Sequence, residues 1–315
     1  MKLLTYTCEN NVSFGVLGEN GIVDIGTCWA EPDRPRSVKQ VLAMGPYCLE
    51  KLSSLADSAD TFIPLSSVKL LAPIPNPGKL VALAGNYSKH IIEAGLKLGL
   101  ADSPRETTVP RPFLMPGTVV SNPDSEIPWP RYSEEVDYEV ELAVVIGKKA
   151  RCVSVEEAIG FVAGYTVVND VSARSVTFKE NRGQRPWDEF FDWLGGKWSD
   201  GFLPIGPWIV TCDEVGDAGN LGIELKVNGQ VRQSANTGQM IFGISEIVSF
   251  VSHIMTLNPG DIIATGTPEG VGMATGDFLK PGDKMECTIK KIGTLKNTLG
   301  AYPQDFYKPL VTGIT

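Results

Sequence analysis

Glu134-Glu135-Val136-Asp137-Tyr138-Glu139-Val140-Glu141-Leu142-Ala143-Val144-Val145-Ile146-Gly147 alternates acidic and apolar residues, then turns wholly apolar. Successive side chains of a strand point to opposite faces. One strand through this segment sends Val136, Tyr138, Val140, Leu142 and Val144 into a core and lines Glu135, Asp137, Glu139 and Glu141 along the other face. Same-face neighbours lie roughly 6–7 Å apart, and carboxylates that close repel unless a cation or water neutralises them. Glu-x-Glu on a strand entering an apolar run is therefore a candidate site for a hard divalent metal. The alternative is an ordinary strand with one solvated acidic face.

Outward from this segment, the chain reads as a globular protein, with 43% hydrophobic and 21% charged residues in 315. A net charge of −9 without a basic cluster argues against nucleic-acid binding. No apolar run has the length of a membrane span. Met1 to Thr7 reads as a strand rather than a signal or transit peptide. Six scattered cysteines without a CxxC pair suit free thiols in a reducing cytoplasm, not a disulfide framework or a zinc site.

The expected class is α+β and β-rich. Short strands at Lys2–Thr7, Ser13–Leu17 and Ile22–Asp24 precede helical spacing over Ser37–Leu55, interrupted by Gly45-Pro46. Pro73-Ile74-Pro75-Asn76-Pro77-Gly78 is the clearest boundary, giving a small N-terminal module over 1–72 and a larger domain over 73–315. Lys79–Ala84 reads as a buried strand leading into a helix over 88–98, capped by Asn86 or Ser88. Residues 99–112 read as a mobile loop. The aromatic stretch 175–202 reads as a loop over something, Asn228-Gly229 as a hairpin turn, and Ser245–Met255 as a helix.

Asp170 ends a second apolar strand, where sheets place ligands. With Glu139 and Glu141 it would supply three oxygen ligands, a set suited to Mg²⁺ or Mn²⁺; the alternative for Asp170 is a turn or cap residue. His90 and Glu93 share a helical face, as a base and its orienting carboxylate do, or as an exposed pair does. Lys197 could neutralise a carboxylate or a developing oxyanion, or be a surface lysine at a turn. His253, near a helix C-terminus, suits a dipole-complementing role. Thr265 to Gly272 lacks the ending of a phosphate loop, but its N–H groups could cradle a carboxylate.

Asn86-Tyr87-x-x-His90-x-x-Glu93, Asp137-x-Glu139-x-Glu141, Asn169-Asp170-Val171-Ser172-Ala173-Arg174, Gly196-Lys197 and Gly266-Thr267-Pro268-x-Gly270-Val271-Gly272 occur in the order seen in the fumarylacetoacetate hydrolase superfamily, which the chain resembles over about residues 70–290. The resemblance implies a mixed β-sandwich roll, usually homodimeric, with a small N-terminal module. It implies Mg²⁺ (or Mn²⁺) on Glu139, Glu141 and Asp170. The substrate would be a small 2-oxo or diketo acid. His90 and Glu93 would sit on a lid helix that orders when substrate binds, with His90 as base. Lys197 would stabilise the oxyanion or enolate. Tyr87 and Thr267 would bind substrate, Thr267 at its carboxylate, and Arg174 would orient the loop or touch substrate. Two departures stand out. Met115 replaces the lysine of the usual Phe-x-Lys-Pro, and Thr177 replaces a usual glutamine. The aromatic segment with Arg182, Arg185, Trp187, Phe190, Phe191 and Trp193 could shape the distal end of the substrate or serve packing.

Three functions remain open at this level. The first is a Mg²⁺-dependent hydrolase that cleaves a C–C bond of an acylpyruvate-like 2,4-dioxo acid. The second is a decarboxylase or isomerase/hydratase of a small 2-oxo diacid of the oxaloacetate or 2-oxohept-3-enedioate type. The third is a metal-stabilised binding protein with a degenerate site.

Overall fold

The acidic–apolar alternation resolves into two strands, Glu135–Asp137 and Val140–Ile146, in the computed structural model of the chain. The structure describes residues 1–308 apart from 10, 31, 99–104, 177, 179–182 and 184, and only the backbone over 94–98. Val136, Tyr138, Val140, Leu142, Val144 and Ile146 all enter one core. Ala143 and Val145, on the opposite face, enter a second. Glu139 and Glu141 therefore share the second face, at the end where the strand begins, and both are buried.

Val140–Ile146 lies inside an 11-stranded mixed sheet, between Val162–Asn169 and Ile262–Ala264. Leu80–Leu83 and Pro112–Met115 extend the sheet on one side. Leu203–Thr211 and the N-terminal strands Lys2–Cys8, Asn11–Gly18 and Gly21–Asp24 extend it on the other. A five-stranded sheet that includes Gly222–Val227, Gln230–Asn236, Lys284–Ile289 and Gly293–Leu299 covers the first face. Its Ile223, Leu225, Met285, Cys287 and Leu295 close the first core. On the second face, helices Val38–Met44 and Pro46–Asp57 bury Val38, Val41, Leu42 and Leu52.

These elements follow local chemistry. Gly45, at φ +83°, breaks the helical run where the spacing is interrupted. Asn228 and Gly229, both at positive φ, make the two-residue turn expected there. Ile244–Ile254 is the late helix, with the His253 ring bonded to Ser249 O at 2.9 Å in its last turn. Residues 1–72 share the large sheet with the rest of the chain through the pairs Lys2↔Val210 and Leu3↔Ile209.

Two expectations change. The stretch 175–202 contains a helix, Asp188–Gly195. Aromatic residues at 190, 191 and 193 blur its polar face, while Asp188 and Glu189 in its first turn favour the positive helix end. Of the loop expected at 99–112, residues 99–104 lie outside the described residues; Arg105–Thr107 is a helical turn, tied down by Arg105 to Ile241 O at 2.7 Å. Thr177 and Arg182 also lie outside the described residues.

Candidate metal centre

Glu139, Glu141 and Asp170 converge: one carboxylate oxygen of each lies within 4.8 Å of the other two. The sheet register brings this about. Asn169 pairs with Val140, so Asp170 emerges beside Glu139. Asp170 N–H donates to Glu139 O at 2.9 Å, and Glu139 N–H to Asn169 Oδ1 at 2.8 Å.

Lys197, expected either at the site or at the surface, is 2% exposed. Its Nζ donates to Glu139 Oε2 at 2.7 Å and to Asp170 Oδ2 at 2.6 Å. Gly196 permits this approach, since a Cβ there would stand 2.2 Å from Ala173 O. The Arg174 guanidinium reaches Asp137 Oδ2 at 2.9 Å and Glu139 Oε1 at 2.5 Å. Asp137, which alternation alone places on the acidic face, is fully buried. It accepts from Gly272 N–H at 2.6 Å and Met273 N–H at 3.0 Å, so it anchors Arg174 and the backbone of these two residues.

Charge separates the three candidate ligands. Burial works against ionising Glu139, but Lys197 and Arg174 outweigh it and hold the carboxyl down at about 2; a charged His90 acts in the same direction. Burial, then repulsion from Asp170 and Glu139, pushes Glu141 well above the carboxylate range. Burial lifts Asp170 to about 6 despite Lys197. Four buried carboxylates thus face two buried cations, Arg174 and Lys197. When all are ionised the deficit is two positive charges, the charge of one divalent ion. Asp170 Oδ1 is buried with no hydrogen-bond partner among the described residues, an acceptor that a cation would satisfy. The residues fit a hard divalent metal.

The loop after Ile262–Ala264 does cradle carboxylates, and they are the chain's own. Gly266 N–H donates to Glu141 Oε2 at 2.7 Å. Gly270 N–H donates to both Glu93 oxygens, at 3.0 and 2.9 Å. Glu93 Oε1 in turn lies 3.0 Å from His90 Nδ1, on helix Ser88–Leu98. With Nδ1–H donating to the carboxylate, Nε2 carries the lone pair and can take a proton. Asn86 fastens the start of this helix, through Thr265 O at 2.8 Å and Phe242 N–H at 2.9 Å.

Tyr87 is buried and its hydroxyl has no partner among the described residues; burial, then the charges of Glu141 and Glu269, raises its pKa. Thr267 Oγ1 donates to Val140 O at 3.0 Å and accepts from Gln233 Nε2 at 2.9 Å. Gln233 is absent from the sequence-level candidates. Met115 packs into the second core, so this chain has an apolar contact where the family usually has a lysine. Trp193 is edge-to-face with Phe113 at 5.0 Å, and its ring centre is 5.8 Å from Lys197 Nζ.

Converging buried carboxylates with a His–Glu pair beside them, in a strand-rich two-sheet fold, form a candidate active site of a metal-dependent enzyme. The chain belongs to the fumarylacetoacetate hydrolase family: the family's sequence model, Fumarylacetoacetate (FAA) hydrolase C-terminal, matches residues 79–300. Among its relatives is the mitochondrial oxaloacetate tautomerase fahd2 of Xenopus laevis, 39% identical over 303 residues, which are 94% of this chain and 89% of that protein. Among solved structures, the maleylpyruvate hydrolase of Sphingobium sp. SYK-6, in complex with manganese(II) and pyruvate, is 31% identical with a TM-score of 0.74. The match covers 96% of this chain and all of that one. A 5-carboxymethyl-2-hydroxymuconate delta-isomerase from Mycobacterium smegmatis is also 31% identical, with a TM-score of 0.71 over 96% of this chain and all of that one. Among the described residues, no helix is long and apolar enough to cross a membrane.

Proposed function

We propose that the protein moves protons on the enol or enolate form of a small 2-oxo diacid, oxaloacetate being the leading substrate. The observation that carries this reading is the His90–Glu93 pair, fixed by Gly270 N–H beside the Glu139–Glu141–Asp170 cluster. The extent of similarity to an oxaloacetate tautomerase supports the choice of substrate. A divalent cation, Mg²⁺ or Mn²⁺, held by Glu139, Glu141 and Asp170 would supply Lewis-acid stabilisation to the negative charge that develops on the 2-oxo oxygen.

The chain's own residues do the rest. His90 Nε2 takes the enol proton or returns it to carbon. Glu93 holds the imidazole in the required tautomer and offsets its charge when protonated. Lys197 and Arg174 keep Glu139 ionised as a ligand. Arg174 is engaged by Asp137 and Glu139, so its role is to position these carboxylates. Tyr87 offers the substrate a buried hydroxyl with no partner among the described residues, and Thr267 a hydroxyl bonded to the backbone of the ligand strand.

A second reading is C–C hydrolysis of an acylpyruvate, in which His90 would activate a water; the similarity to a maleylpyruvate hydrolase favours it. We further infer a homodimer and a reducing compartment, the cytoplasm, where the six free cysteines stay reduced. The test is a panel of oxaloacetate, acylpyruvates and 2-oxohept-3-enedioate, assayed with the chelated and the Mg²⁺- or Mn²⁺-loaded protein. Metal-dependent loss of enol-oxaloacetate is expected, together with its collapse in His90→Ala at nearly unchanged metal affinity. Enol turnover unchanged by chelation or by His90→Ala would refute the reading, and turnover of acylpyruvates alone would select hydrolysis.

A further inference from the structure

Gln233 stands on Gln230–Asn236 of the five-stranded sheet, beyond an irregularity in its pairing with Gly222–Val227. It pairs with Leu225, a residue of the first core, so its side chain also points inward, toward the large sheet. Although polar, it is 1% exposed. Its amide makes three hydrogen bonds within a single neighbourhood. Oε1 accepts from Val140 N–H at 3.0 Å, and Nε2 donates to Thr267 Oγ1 at 2.9 Å and Pro268 O at 2.8 Å.

The chemistry of these partners fixes the amide orientation. A backbone N–H only donates, so the oxygen must face Val140; a carbonyl only accepts, so the nitrogen must face Pro268. Thr267 therefore receives a hydrogen from Gln233 and has one of its own to give. That hydrogen goes to Val140 O at 3.0 Å, closing a circuit through the residue that lies between Glu139 and Glu141. The circuit is continuous with the site, because Gly266 of the same loop holds Glu141. The neighbouring bulge residue adds a second dock: a Cβ on Gly270, at φ +100°, would stand 2.2 Å from Arg232 O.

We propose that Gln233 is a positioning residue of the active site. It presets the Thr267 hydroxyl so that its one hydrogen can swing from Val140 O to a carboxylate oxygen of the bound 2-oxo acid, while the amide keeps the hydroxyl oxygen in place. The inference rests on the proposed 2-oxo acid reading and names the residue, on the other sheet, that makes Thr267 a ready donor.

The probe is oxalate, a planar dianion, titrated calorimetrically into the Mn²⁺-loaded protein. Gln233→Leu should weaken oxalate about tenfold, the equivalent of one hydrogen bond, and leave the Mn²⁺ affinity without oxalate within about threefold. Thr267→Val should cause a similar loss, and the double variant should be no weaker than Thr267→Val alone. A merely structural role would lower the melting temperature and both affinities together. If Gln233→Leu does not fold, Gln233→Asn, which keeps the amide but shortens its reach, is read by the same criteria. Wild-type-like oxalate affinity in the variant, or losses that multiply in the double variant, would overturn the proposal. Failure of the wild type to bind oxalate would instead refute the parent reading. Amide exchange in the metal-free protein then decides: exchange at Gly266 and Gly270 no faster in the Gln233 variant overturns the positioning role, and faster exchange supports it.

Discussion

Lys197→Met removes one of the two cations that face four buried carboxylates and keeps much of the side-chain length. Nζ lies 2.7 Å from Glu139 Oε2 and 2.6 Å from Asp170 Oδ2. At an effective dielectric of about 20, each contact carries about 6 kcal/mol of Coulomb attraction, much of which the desolvation of a buried ammonium offsets. Removing one member of a buried pair costs about 3–5 kcal/mol, because its partners stay buried and uncompensated. In chelator, Lys197→Met should therefore melt on the order of 10 °C below wild type. A divalent ion changes this comparison. Without metal the fully ionised wild-type cluster is two charges short of neutrality and the variant three; with metal the wild type is neutral and the variant one short. Saturating Mn²⁺ should thus raise the melting temperature of the variant more than that of wild type, shrinking the deficit, while turnover stays low for lack of the ammonium. Thermal denaturation of both proteins with chelator and with Mn²⁺ reads this directly. A loss below about 1 kcal/mol in chelator, or a deficit that Mn²⁺ leaves untouched, would refute the placement of Lys197 in the same charge cluster as the metal.

The same cluster sets a pH dependence. Asp170, held at about 6 against an ordinary 3.8, binds a proton in the native state that the unfolded chain has released, so its contribution to metal-free stability falls as pH rises from about 4 to 6. Glu141 acts in the same sense, whereas Glu139, held at about 2, adds stability that is lost as pH falls from 4.5 toward 2. Metal binding displaces the protons of the raised pair, so Mn²⁺ should raise the melting temperature more at pH 8 than at pH 5; an equal shift at both would contradict the assignment. Gly270→Ala should destabilise by at least about 2 kcal/mol, through its positive φ and its contact with Arg232 O, and should slow the His90-dependent step by unseating Glu93. Denaturant titration and single-turnover kinetics check both, and a stable, fully active variant would show that the 266–270 loop tolerates displacement.

What the sequence determined was what repeats or signals locally. A period of two divided Val136, Tyr138, Val140, Leu142 and Val144 from Glu135, Asp137, Glu139 and Glu141, and each apolar member of that row lies in one core. Gly45-Pro46 and Asn228-Gly229 announced their turns, because positive φ and a missing N–H are properties of single residues. The order of motifs identified the family that the comparison over residues 79–300 shows. Alternation tells which face a side chain takes but not what covers that face. Alternation therefore leaves Asp137 no different from an acid of a solvated face, whereas in the fold Arg174 and the backbone of Gly272 and Met273 close over it. Helix Asp188–Gly195 was hidden because aromatic residues obscure the apolar period that marks a surface helix.

Tertiary structure alone decided the rest of the site, since its bonds join distant parts of the chain. Gln233 meets Val140 across 93 positions, and Glu93 meets Gly270 across 177. No local pattern encodes such a pair. A buried amide or carboxylate must find its partners wherever the fold brings them, and only the packing of two sheets against each other specifies which donors arrive there.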